Sequence, residues 1–98
     1  MELEQAERVI KTSVEEFLDL SPIDMQIIDL KVMLAFKLKQ ARQEQAMTQT
    51  ELAALLDTGQ SRVAKMEAAD NSVSTELLIR SLFSLGYSTR DIGNLLTS

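Results

Sequence analysis

The stretch from Met47 to Glu67 constrains the fold more than any other part of the chain. Thr48 followed by Glu51 is a capping-box signature, in which each side chain satisfies the other residue's backbone N–H at a helix start. Leu52, Ala53, Leu55 and Leu56 then supply one apolar side. Asp57-Thr58-Gly59 interrupts the pattern and reads as a tight turn. A second short helix follows from Gln60 to Ala68, with Val63 and Met66 on its inner side. Two amphipathic helices joined by so short a turn are held at a fixed angle.

The rest of the chain reads as more helices. Leu3, Ala6, Ile10, Val14 and Phe17 recur at spacings of three and four and predict an amphipathic helix over about 2–18. Ser21-Pro22-Ile23-Asp24 starts the next one: Ser21 caps, Pro22 fits the first turn, and Asp24 faces the positive end of the helix dipole. That helix is expected to reach about Gln45, with Ile27, Leu30, Leu34, Leu38 and Ala41 as its inner stripe. After a short polar loop over 69–73, Ser74 caps a helix over 75–85 that is rich in expected core residues: Leu77, Leu78, Ile79, Leu82, Phe83 and Leu85. Gly86 suits the left-handed residue that ends a helix. Ser88 or Thr89 caps a last short helix carrying Ile92, Leu95 and Leu96. Strand-like alternation is absent, so the expected class is all-α.

Aromatic residues make up only 4% of the chain, so the core must be built from Leu, Ile, Val, Met and Ala. With 98 residues there is enough chain for one core. The absence of Cys excludes a disulfide frame and a thiolate zinc site. There is also no His and no glycine-rich phosphate loop, so no nucleophile–base pair or metal cage can be assembled, and neither an enzyme nor a cofactor is expected. No apolar run is long enough to span a bilayer, and no signal-peptide pattern opens the chain; a cytoplasmic protein is expected.

The net charge of −5 is unevenly spread. Residues 1–30 carry −6 and residues 66–98 carry −2, whereas residues 31–65 carry +3 from Lys31, Lys37, Lys39, Arg42, Arg62 and Lys65 against Glu44, Glu51 and Asp57. The only positive stretch therefore contains the two-helix motif. The second motif helix opens on Gln60, Ser61 and Arg62, with Lys65 one turn on. Hydrogen-bonding groups at the start of a fixed helix suit the major groove of DNA. Few phosphates can be neutralised, so nonspecific binding should be weak.

Thr48-Gln49, Leu52-Ala53, Gln60-Ser61, Val63 and Met66-Glu67, at these offsets, resemble the helix-turn-helix of the Cro/cI-type phage repressors, the XRE family. The resemblance extends over roughly 34–96. It implies a five-helix λ-repressor-like domain, here over 21–98 with its motif at 48–67, preceded by the extra acidic helix of residues 1–20. It also implies that Gln49 braces phosphate and the recognition helix. Gln60 and Ser61 would approach base edges, Arg62 would meet phosphate or read guanine, and Lys65, a turn further on, would point to the same groove. Arg42 and Glu67 match a structural ion pair. Three positions depart from the family pattern: Asp57 stands at a turn glycine, Gly59 at the Ser or Thr cap of the recognition helix, and Ala46 at a frequent glycine before the motif.

Val14-Glu15-Glu16-Phe17-Leu18-Asp19-Leu20-Ser21-Pro22 and the run from Gln60 to Ala68 further resemble small HigA-like antitoxins, encoded beside RelE- or HigB-like toxins. That resemblance implies an antitoxin that represses its own operon and blocks a basic ribonuclease toxin; the expected DNA-bound form is a homodimer on a palindromic operator. The acidic first helix would suit that toxin; packing on its own core or closing the dimer would suit the helix equally. The alternative class is a protein-interaction adaptor that keeps the fold without specific DNA binding. The acidic total favours the adaptor and the positive stretch opposes it.

Overall fold

A computed structural model describes residues 21–97. The expected helix over 2–18 lies outside these residues. Within them there are five helices and no strand: α1 (Pro22–Glu44), α2 (Gln49–Leu55), α3 (Gln60–Glu67), α4 (Thr75–Ser84) and α5 (Thr89–Thr97). α1 lies against α4 and α3, and α2 packs on α3. Leu34, Leu38 and Ala41 of α1, Leu52 and Ala53 of α2, Val63 and Met66 of α3, and Leu78 and Leu82 of α4 meet in one core.

Each start follows from local chemistry. Ser21 and Asp24 form a reciprocal capping box, as do Thr48 and Glu51. The Ser74 hydroxyl accepts from the Leu77 N–H, and Ser88 and Asp91 exchange bonds at the start of α5. Gly59 caps α3 with no side-chain bond.

The first four helices end alike. At each end one N–H reaches back five residues and its predecessor reaches back three, as in Met47 N–H to the Arg42 carbonyl and Ala46 N–H to the Gln43 carbonyl. This motif needs a left-handed residue. Glycine supplies it only once, as Gly86 at φ 98°; Ala46 (φ 55°), Asp57 (φ 55°) and Ala69 (φ 53°) occupy it elsewhere. The two family departures at Ala46 and Asp57 thus fall where a Cβ is costly.

Four burial expectations are corrected. Ile27, expected on the inner stripe of α1, is 51% exposed, because burial along α1 begins only at Leu34 and the earlier turns run past the helices that cover it. Leu55 is 52% exposed, since it stands two residues after buried Ala53 and hence about 200° round the helix. Phe83 is 45% exposed, standing about 140° round α4 from Leu78, while Ser81 takes an inward place and donates to the Leu77 carbonyl at 2.8 Å. Val73, assigned to a polar loop, is buried in the core.

Candidate nucleic-acid interface

The site is built on one hydrogen-bonded chain that crosses three helices. Arg42, near the end of α1, donates from Nε to Glu67 Oε2 at 2.6 Å and from Nη2 to Glu67 Oε1 at 3.0 Å. Its third donor, Nη1, reaches the Met47 carbonyl at 2.8 Å, just before α2. The fork of a guanidinium matches a carboxylate in this two-point way and leaves one nitrogen for the backbone. The side chains are 11% and 3% exposed, so water does little to weaken the pair. Hydrogen bonding to Glu67 raises the Arg42 pKa above its usual value, against the opposing effect of burial.

Gln49 continues the chain. Its Nε2 donates to Glu67 Oε1 at 3.2 Å, and its Oε1 accepts from Gln60 Nε2 at 2.7 Å. The first residue of α2 is thereby tied to both the first and last residues of α3. Glu67 Oε1 serves Arg42 and Gln49 together. No buried side-chain nitrogen or oxygen among the described residues lacks a partner. The angle between α2 and α3 is therefore held by polar bonds at one end and by Leu52, Ala53, Val63 and Met66 at the other.

The other sequence-predicted residues stand apart from this chain. Ser61, Arg62 and Lys65 are exposed on α3, and none forms a side-chain hydrogen bond or ion pair among the described residues. The structure thus brings Gln49 and Gln60 together with Arg42 and Glu67, and leaves Ser61, Arg62 and Lys65 outside that chain, exposed on α3, with the Lys65 charge acting on Asp70. Sequence reasoning gave Gln49 as a brace for the recognition helix but named neither of its partners, Gln60 and Glu67, nor the Met47 carbonyl as a partner of Arg42. A polar residue opening each of two adjacent helices was the available signal, but an amide pair leaves no periodicity to read.

Two further basic residues of the positive stretch are engaged elsewhere. Lys31 Nζ donates to the Asp70 carbonyl at 2.7 Å, and Lys37 Nζ lies 5.3 Å from the centre of the Tyr87 ring. These contacts tie α1 to the loops flanking α4. The positive stretch is accordingly part structural, with Arg62 and Lys65 its exposed members on α3.

Among the described residues no group of His, Cys, Asp or Glu could hold a metal ion. No described helix is long and apolar enough to cross a membrane. The helix-turn-helix family model matches residues 38–90, which spans the end of α1 through the start of α5. No curated protein and no solved structure matches the chain. With more than half of its length covered by that family model, and α2, turn and α3 in the arrangement the family requires, the chain belongs to the XRE-type helix-turn-helix family of DNA-binding transcription regulators.

Proposed function

We propose that the protein is a dimeric repressor that reads a palindromic operator with α3. The observation that carries this reading is the contrast within α3 itself. Its frame is bonded through Glu67 and Gln60, while Ser61, Arg62 and Lys65 are exposed and make no side-chain hydrogen bond among the described residues. A fixed helix with free donors near its start loses little order on entering a groove. Gln60 and Ser61 would approach base edges, with the Gln60 amide suited to adenine. Gln49 would pass support to Gln60 and offer its amide to phosphate. Arg62 and Lys65 would contact phosphate, or guanine where Arg62 reaches a base. Two copies would place their recognition helices in successive major grooves roughly 34 Å apart. Half-exposed Leu96, with partly buried Leu95 beside it, gives α5 an apolar edge for the dimer contact.

A band-shift titration over salt concentration tests the reading. Arg62→Ala and Lys65→Ala are each expected to weaken operator binding and to flatten the salt dependence by about one unit of slope. Affinity unchanged by both substitutions would leave the adaptor class standing.

The acidic balance of residues 1–30 favours a second, compatible role, an autoregulating antitoxin whose N-terminal helix meets a basic ribonuclease. Co-purification with the product of an adjacent small basic gene tests it; loss of that association without residues 1–20 is the expected result.

A further inference from the structure

α1 carries a second apolar stripe. Met25, Ile28, Val32 and Phe36, followed by Lys39, lie on average about 150° round the helix from the line of Leu34, Leu38 and Ala41 that faces the core. Ile28, Val32 and Phe36 are exposed, Phe36 by 68%. Ile23 and Ile27 are exposed too, but continue the core-facing line and do not belong to this stripe. A contiguous apolar surface of this kind marks a docking site.

We propose that residues 2–18 of the same chain fold back as a helix on this stripe, making an antiparallel helical hairpin with α1. The spacing is the first argument. Read away from α1, the apolar positions of the leader are Phe17, Val14, Ile10, Ala6 and Leu3, at steps of three, four, four and three. Read from its start, the outer stripe of α1 is Met25, Ile28, Val32, Phe36 and Lys39, at the same steps. One register therefore sets Phe17 against Met25, Val14 against Ile28, Ile10 against Val32 and Ala6 against Phe36. The smallest leader residue meets the largest stripe residue.

The connection and the charges agree with that register. Only Asp19, Leu20 and Ser21 separate the expected end of the leader helix from Pro22, and antiparallel helix pairs are joined by about 2–5 residues. A helix of that leader length is about 25 Å long, enough to cover the stripe from Met25 to Lys39. The same register sets Leu3 opposite Lys39, and the acids Glu2 and Glu4 adjoin Leu3 in sequence, a charge complement to that lysine. Self-pairing of two α1 stripes would leave the leader's own apolar face uncovered, whereas the hairpin covers both faces at once. Tethering also gives the leader an effective concentration on the order of millimolar over a second copy.

The chain has no cysteine, so paired cysteines report the register without background. In the full chain, Ile10→Cys with Val32→Cys and Val14→Cys with Ile28→Cys are expected to close an intramolecular disulfide. Ile10→Cys with Ile28→Cys is displaced by one turn, about 5.4 Å along the axis and beyond disulfide reach, and should cross-link at least roughly tenfold more slowly. Equal rates in all three pairs, or no intramolecular product, overturn the hairpin. Rapid disulfide-linked dimers from Val32→Cys alone also overturn it, assigning the stripe to a second copy. Hydrogen exchange on the unmodified protein gives an independent reading. Amides between Ala6 and Phe17 should be protected, and Phe36→Glu should remove that protection while leaving α2 to α4 unchanged. Unprotected leader amides in the parent chain overturn the proposal. None of these readouts requires DNA.

Discussion

The two halves of α1 are alike in sequence and opposite in fate. From Leu34 to Ala41 the apolar residues at helical spacing are sealed under α3 and α4. From Ile23 to Val32 a similar spacing leaves Ile23, Ile27, Ile28 and Val32 exposed. Periodicity states which side of a helix is apolar, not how far along it a partner extends. The later half also carries Arg42, whose bonds to Glu67 and Met47 join α1 to the motif. In that half, packing and polar bonding coincide; in the earlier half, polar contacts include the Ser21–Asp24 cap and the bond of Lys31 to the Asp70 carbonyl.

The sharpest way to break this contrast is at the ion pair. Arg42→Ala strands the Glu67 carboxylate at the junction of α1, α2 and α3, and should destabilise the fold by about 3–5 kcal/mol in urea denaturation. A loss below about 1 kcal/mol would mean that water already reaches the pair. The packing half of the comparison comes next. Leu38→Ala should cost about 2–5 kcal/mol, through lost burial and the cavity it leaves. Ile27→Ala, a comparable truncation on the same helix, should stay within about 0.5 kcal/mol. Similar losses at both positions would show that the Ile27 side of α1, which the hairpin leaves open, is covered in solution.

A smaller effect of opposite sign is expected where α1 ends. Ala46 holds a left-handed conformation at φ 55°, so Ala46→Gly relieves Cβ strain. The gain should be about 0.5–1 kcal/mol after the added chain entropy of glycine, read as a higher denaturation midpoint. Ala69→Gly at φ 53° should behave alike.

The smallest effect is the response to acid. Hydrogen bonds from Thr48 hold the Glu51 carboxyl below its usual 4.5, and bonds from Ser72 and Ser88 hold Asp70 and Asp91 below their usual 3.8. A depressed folded pKa contributes stability that is present above the unfolded value and disappears as pH falls through the folded one. Stability from these bonds should therefore be level above about pH 5 and decline below about pH 4. Glu51→Gln should make the decline shallower. Denaturation series at neutral and acid pH compare the two.

Much of the candidate site was legible in the sequence. Arg42 and Glu67, as well as Gln49 and Gln60, stand at positions whose residue types and offsets carry the family pattern. What the offsets did not reveal was that Gln49 joins Gln60 to Glu67. That bond depends on the crossing angle of α2 and α3, and the angle depends on how Ala53 and Val63 pack. Leu55 and Phe83 were misplaced for a related reason. Short helices rich in leucine offer more apolar positions than one neighbour can cover, and only the neighbour decides which remain outside.

The sequence by itself determined where the helices begin and end, because caps are local. Ser21 with Asp24, Thr48 with Glu51, and Ser74 act within one turn of themselves, and the backward bonds at helix ends span five residues. It also determined which residues could pair across the motif. The tertiary structure alone decided which apolar residues are covered, which cations are already engaged, and that Ser61, Arg62 and Lys65 are exposed on α3. Burial and pairing depend on what lies several ångströms away in space, and distance in space is not written in the order of the residues.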